Sequence, residues 1–211
     1  MLSYLLLLTQ IPAVTLAPVE GAKLFHKVTY TMNLQGSVLT YNADVNTKYV
    51  DVTDKSFTLD RTVSNGTAKY KGKVLPMDET DMALLRVNRD GTLDFKEMET
   101  VEVEGVLDVL LFRFIPLPAE KDETVVKTLP GNDAVIPDQK IESTFLGKKE
   151  AVGEEGYAFR QKSMAGPMNW TTDFVVRLDG TILEASCEFS GFFFGDKAID
   201  GTGKATMKLI P

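Results

Sequence analysis

The chain has 211 residues, with 30 acidic against 23 basic side chains, one histidine and one cysteine. An acidic balance with no basic cluster excludes the electrostatic footprint of a nucleic-acid binder. The single cysteine excludes an intramolecular disulfide, the single histidine excludes a multi-histidine metal site within one chain, and the length suits one domain with a sizeable core.

In chain order, residues 2–8 are mostly leucine and carry no charge, Pro12 interrupts the apolar stretch, and the small residues Ala13, Ala17, Gly21 and Ala22 precede the first cation, Lys23. This is the order of an apolar core and a cleavage region, so residues 1–22 read as a signal peptide, cut after Ala17 or after Ala22. The stretch is too short for a membrane span, and no transmembrane segment is expected in residues 23–211. The alternative is a buried first strand or helix. The expected location is outside the cytoplasm, in a bacterial periplasm or extracellular.

From there the chain alternates with period two, as half-buried strands do. Leu24, Val28, Tyr30, Met32 and Leu34 share one face of a first strand, and Leu39, Tyr41, Ala43, Val45 and Tyr49 share one face of a second. Phe57, Leu59 and Val63 follow, and Asn65-Gly66 predicts a hairpin turn leading to Ala68, Tyr70 and Val74. Later strands are expected at 141–146, 157–162, 171–178, 182–190 and 204–210, with 120–127 and 130–138 as connecting loops. Residues 106–115 break the alternation: they are apolar nearly all round and are followed by Pro116 and Pro118, which predicts a buried helix. The expected fold is mainly β (β-rich α+β), a single antiparallel domain over 23–211 whose curved sheet or half-barrel holds that one apolar helix as core packing or as a lid.

Few motifs carry chemistry. Residues 88–97 align with a calcium loop at Asn88, Asp90, Gly91, Asp94 and Glu97, but Arg86 stands where the first carboxylate belongs. A β-hairpin without calcium is the expectation, a calcium-binding module being the weaker alternative, and the Asp-Gly-Thr of 90–92 has an echo at 179–181. Gly201-Thr202-Gly203-Lys204-Ala205 lacks the features of a phosphate loop, and no nucleophile motif occurs. No cofactor, metal ligand set or catalytic residue is singled out, and a carboxylate-pair hydrolase is a weak alternative. His26 falls on the apolar side of the first strand and reads as a histidine capped by a backbone group; Cys187 reads as a small buried residue. Gly191-Phe192-Phe193-Phe194-Gly195 places consecutive rings on both faces of a strand, an aromatic lip or a doubly covered strand. With the apolar segment and a nearby tryptophan it defines the candidate ligand-binding residues Leu111, Phe112, Phe114, Trp170, Phe192, Phe193 and Phe194.

Leu111-Phe112-Arg113-Phe114-Ile115-Pro116-Leu117-Pro118, followed by Phe145-Leu146-Gly147, Gly156-Tyr157-Ala158 and Asp179-Gly180, resembles a group of exported bacterial proteins similar to the half-barrel carriers of the LolA and LppX type. The resemblance implies a concave sheet closed by a helix and the handling of an apolar ligand or lipoprotein. Two functions follow as expectations: a non-catalytic module binding a lipid or other apolar ligand, or an envelope component with a protein partner and no ligand.

Overall fold

The computed structural model describes residues 13–34, 36–76, 80–94, 111–117, 120–130, 138–165, 169–194 and 197–211. Its strands are β1 (Lys23–Leu34), β2 (Ser37–Val50), β3 (Ser56–Tyr70), β4 (Lys73–Pro76), β5 (Thr80–Asn88), β6 (Thr124–Leu129), β7 (Gln139–Ala151), β8 (Glu154–Ala165), β9 (Asn169–Val176), β10 (Ile182–Phe194) and β11 (Lys197–Leu209). They form one sheet in the order β4-β3-β2-β1-β11-β10-β9-β8-β7-β6, with β5 on the other stretch of β3's free edge. The meander is antiparallel, and β1 joins β11, so the two halves meet along the first and last strands.

Register places one residue set on one face. Val28 pairs with Met207 and Ala43, Ala185 with Met207 and Phe174, and Phe159 with Phe174 and Phe145. These side chains form a single buried cluster, as the period-two alternation predicts. Register shifts at Asn42/Asp44, Leu59/Arg61, Phe145/Gly147 and Ser190/Phe192 bend the strands. The sheet curls far enough that Lys127 on β6 reaches Asp90, just beyond β5, with Nζ 2.9 Å from Oδ2. The edges of the two halves therefore approach each other across the concave side.

Three expectations change. First, no helix occurs among the described residues, which are all-β rather than α+β. Residues 111–117 cross the concave face without helical structure, while 106–110 lie outside the described residues. The segment is buried as expected, with Leu111, Phe114, Ile115 and Leu117 in the core. Its backbone, however, is not satisfied by a helical ladder. Ile115 N–H donates to Gln161 Oε1 at 3.2 Å, and Gln161 Nε2 donates back to Ile115 O at 2.7 Å and to Ser143 Oγ at 3.0 Å. A fully buried glutamine thus takes the place of a neighbouring strand.

Second, Asn65-Gly66 is not a turn. β3 runs straight through it, Asn65 adopts φ 52°, and its amide donates to Asp44 across a bulge at 2.8 Å. The reversal comes at Lys71-Gly72, between the paired residues Tyr70 and Lys73. Third, part of the charged stretch expected as a loop forms the edge strand β6.

Opposite Phe189 on β11 lies Gly203, and a Cβ built there would stand 2.1 Å from Phe189 Cζ and 2.7 Å from Cε1 and Cε2. The ring cannot easily withdraw, because it also stacks on Tyr30 at 5.6 Å and an interplanar angle of 8°. Gly203→Ala should destabilise the fold by about 2 kcal/mol through overpacking. Urea denaturation would measure it, and a midpoint unchanged from wild type would contradict the packing described.

Candidate functional site

A cavity of about 70 Å³ remains inside the curled sheet, at the end where β1, β2, β3 and β5 face the crossing segment. Most of its wall is apolar, including Leu59, Leu85, Val87 and Phe114. Besides Tyr49 and Arg113, three polar side chains from neighbouring strands interrupt that wall: His26 on β1, Thr47 on β2 and Arg61 on β3. Thr47 is the cross-strand partner of Arg61, and His26 pairs with Val45, one inward-facing position away from Thr47. All three therefore project from adjacent strands toward the same space.

Arg61 is 1% exposed. Its guanidinium carbon lies 4.4 Å from the centre of the Phe112 ring, a cation–π contact. Burial pulls its pKa down to about 9, against a smaller upward pull from Tyr49, so it remains charged at neutral pH. His26 is 2% exposed, and its Nε2 lies 3.0 Å from the carbonyl of Ile182. A carbonyl only accepts, so Nε2 carries the proton and Nδ1 presents a lone pair. Burial lowers the imidazole to about 4, opposed by the Ile182 hydrogen bond and reinforced by the Arg61 charge. The neutral ring meets Phe112 edge-on at 5.8 Å. Neither His26 Nδ1 nor Thr47 Oγ1, both buried, has a hydrogen-bond partner among the described residues.

Two turns of the same construction close this end. Asn88 N–H donates to Thr92 O and Gly91 N–H to Asn88 O; Arg177 N–H donates to Thr181 O and Gly180 N–H to Arg177 O. Each aspartate accepts from the threonine two residues on, Asp90 from Thr92 at 3.0 Å and Asp179 from Thr181 at 2.9 Å. Gly91 and Gly180 have φ of 82° and 81°, a region that penalises a Cβ. Each also touches a crossing chain. A Cβ at Gly91 would stand 2.9 Å from Ile115 Cδ1, and one at Gly180 2.6 Å from Leu16 Cδ2. The sequence echo at the two Asp-Gly-Thr sites is thus a structural one.

This geometry also accounts for residues 88–94. Asp90 is occupied by its own turn and by Lys127, with Thr92 N–H and O–H on Oδ1, which makes the segment a hairpin turn. Glu97 lies outside the described residues. No group of three or more acidic, histidine or cysteine side chains among the described residues could hold a metal ion.

Residues 13–22, within the segment read as a leader, are joined to the domain. Thr15 N–H donates to Leu178 O, Ala17 N–H to Asp179 O and Gly21 N–H to Tyr49 O, while Arg89 Nη1 donates to Leu16 O at 2.7 Å. Leu16 lines the cavity.

Of the candidate ligand residues, Phe112 and Phe114 line the cavity. Leu111 is fully buried in the main core, and Trp170 joins the same core from β9, away from the cavity wall. Phe192, Phe193 and Phe194 continue β10 opposite Ile199, Ala198 and Lys197, and their side chains lie outside the described residues. His26 and Cys187 behave as read: the first is capped by a carbonyl, and the second is wholly buried, its thiol pushed up to about 11 by that burial. The residues missed are Thr47, Arg61 and Gln161. Their signal was in the alternation: Thr47 and Arg61 each occupy an inward position between apolar neighbours of their own strand, and Gln161 follows Phe159 on the inward face of β8.

No family model matches the chain, and no curated protein matches it. Among solved structures, a DUF1329 family protein from Desulfovibrio piger ATCC 29098 is similar at 9% identity and a TM-score of 0.23, over 90% of this chain and 84% of that one. So slight a likeness carries no argument about activity. The curved antiparallel sheet stands on strand register, and a relation to the LolA or LppX type is not confirmed.

Proposed function

We propose that the protein is an exported, non-catalytic binding module that holds an apolar ligand inside its curled sheet, in a periplasm or extracellular space. The observation that carries this reading is the partly open, largely apolar cavity with a few convergent polar groups, the usual anatomy of a small-molecule site. Its size limits the occupant. About 70 Å³ is roughly half the ~150 Å³ of an engineered cavity that admits benzene, so a whole acyl chain would require residues 111–117 to swing aside. The non-catalytic part of the reading draws on His26, whose one N–H is committed to a carbonyl and whose burial keeps it neutral. Export rests on the apolar leader alone, and trimming it would take Leu16 out of the cavity wall.

Native mass spectrometry of protein recovered without detergent from its own envelope tests both halves. The expected result is a small adduct and a shortened N-terminus. A bare mass, with no xenon uptake into the cavity, would favour an envelope component without a ligand. A full-length cytosolic product would remove export.

A further inference from the structure

We infer that the slot between Arg89 and the 177–181 turn is a docking site for an extended, uncharged peptide with a leucine at its centre, filled here by Thr15-Leu16-Ala17 of the same chain. This goes beyond the binding-module reading and is independent of what the cavity holds. Three bonds to the main chain seat the segment: Thr15 N–H donates to Leu178 O at 3.0 Å, Ala17 N–H to Asp179 O at 2.9 Å, and Arg89 Nη1 to Leu16 O at 2.7 Å. Main-chain bonds of this kind hold an extended peptide whatever its sequence, and a side-chain pocket adds the choice. Here the pocket takes Leu16, which turns inward to the cavity wall while Thr15 and Ala17 stay exposed.

Both walls of the slot are held by their own bonds rather than by the segment. The Arg89 guanidinium is anchored on Thr53 O through Nε at 3.1 Å and Nη2 at 2.6 Å, and it lies 5.6 Å from the centre of the Phe57 ring. Opposite, Arg177 N–H on Thr181 O, Gly180 N–H on Arg177 O and Thr181 N–H on Asp179 Oδ1 fix the turn that presents Leu178 O and Asp179 O. Gly180 permits the close approach, since a Cβ there would also stand 2.9 Å from Thr15 O. A site so preorganised loses little freedom when it is filled. The segment, by contrast, is loosely committed. Residues 111–117 pass the matching turn at Gly91 with Leu111, Phe114, Ile115 and Leu117 buried, whereas residues 13–22 are exposed or half-buried throughout. Three bonds and the side chains of Val14 and Leu16 can be released without opening the sheet. A cut after Ala17 or Ala22 would remove them. The emptied slot would present one donor, two acceptors and an apolar hole, the complement of one C=O, two N–H groups and an aliphatic side chain. A charged residue at the centre is excluded by the apolar wall.

The probe is an end-capped fluorescent peptide of residues 13–19, followed by anisotropy with the full-length protein. Thr15→Pro combined with Leu16→Gly empties the slot in cis by deleting one N–H and the inward side chain. This double variant should bind the peptide about tenfold more tightly than wild type, whose attached segment competes at high effective concentration. In the same background Arg89→Met should weaken binding about tenfold, the worth of one hydrogen bond to a charged group. Alanine in place of the peptide's central leucine should weaken it about as much, through lost apolar burial. In wild type, the Thr15 and Ala17 amides should exchange far faster than those at the centre of β1. Binding that ignores both the leucine and Arg89, or no binding to the folded double variant, would overturn the inference. Failure of the double variant to fold, or exchange at Thr15 only on global unfolding, would overturn it too, by making the segment an integral part of the fold. Should Arg89→Met not fold, the leucine replacement decides, since it leaves the protein untouched. Xenon uptake without peptide binding would overturn the slot and leave the apolar-ligand module standing; peptide binding without xenon uptake would do the reverse.

Discussion

Replacing Gln161 with leucine should cost about 3–5 kcal/mol, more than expected for an amide-to-methyl change of nearly equal volume. The side chain itself is not the main loss. Ile115 is fully buried, and Gln161 is the partner of both its N–H and its C=O. Removing that partner leaves Ile115 N–H and Ser143 Oγ without it in the core, each at the desolvation cost of about 1–3 kcal/mol for an unsatisfied buried group, while Ile115 O keeps the Leu117 N–H at 2.9 Å. Because the segment has no helical ladder to fall back on, the effect should be local as well as global. Amide exchange at Ile115 should accelerate by orders of magnitude before the sheet unfolds. Gln161→Glu separates the two bonds: its carboxylate still accepts from Ile115 N–H but opposes Ile115 O. Thermal and urea denaturation with exchange-detected NMR measure both variants. A loss below 1 kcal/mol in Gln161→Leu would show that Gln161 does not hold the crossing segment.

Acidification should destabilise the protein through His26 by about 3 kcal/mol. The folded imidazole titrates near 4 against 6.5 for the free side chain, burial being the main cause. A depressed folded pKa means that the unfolded chain binds the extra proton first. Stability is therefore complete above pH 6.5, declines as the pH falls toward 4, and flattens below. The gap of about 2.5 units at 1.36 kcal/mol each sets the size. Asp90 contributes in a separate, lower window, since its hydrogen bonds to Thr92 and Lys127 outweigh burial and hold it near 2. Urea denaturation at intervals between pH 4 and 7, on wild type and His26→Gln, isolates the histidine term. Parallel profiles for the two proteins would mean that His26 titrates normally in the fold.

The link between these two results is the inward face. A residue such as Gln161 or His26 is tolerable there only with its polar groups placed, and in each case the partner is a backbone group brought from far along the chain: Ile115 for one, Ile182 for the other. Arg61 follows a different logic. It retains its charge in the core, with its guanidinium stacked over the Phe112 ring.

What the sequence by itself determined is which side of each strand faces inward. Side chains alternate strictly along a strand, so Val28, Val45, Phe174, Ala185 and Cys187 could be assigned to the core without knowing any pairing. The same alternation puts Thr47, Arg61 and Gln161 at inward positions, but nothing in it says that a polar side chain there lines a cavity or holds a crossing segment, so the candidate site was not read from the sequence. The tertiary structure alone decided what they do there. Asn65-Gly66 has the local chemistry of a turn, yet pairing with β2 on one side and β4 and β5 on the other carries β3 through it as a bulge. Residues 111–117 have the apolar profile of a buried helix, yet a distant glutamine satisfies the backbone and leaves them without one. Local pattern reports burial and periodicity; the partner of a buried polar group is a matter of which strands meet, and that is set by the closure of the whole sheet.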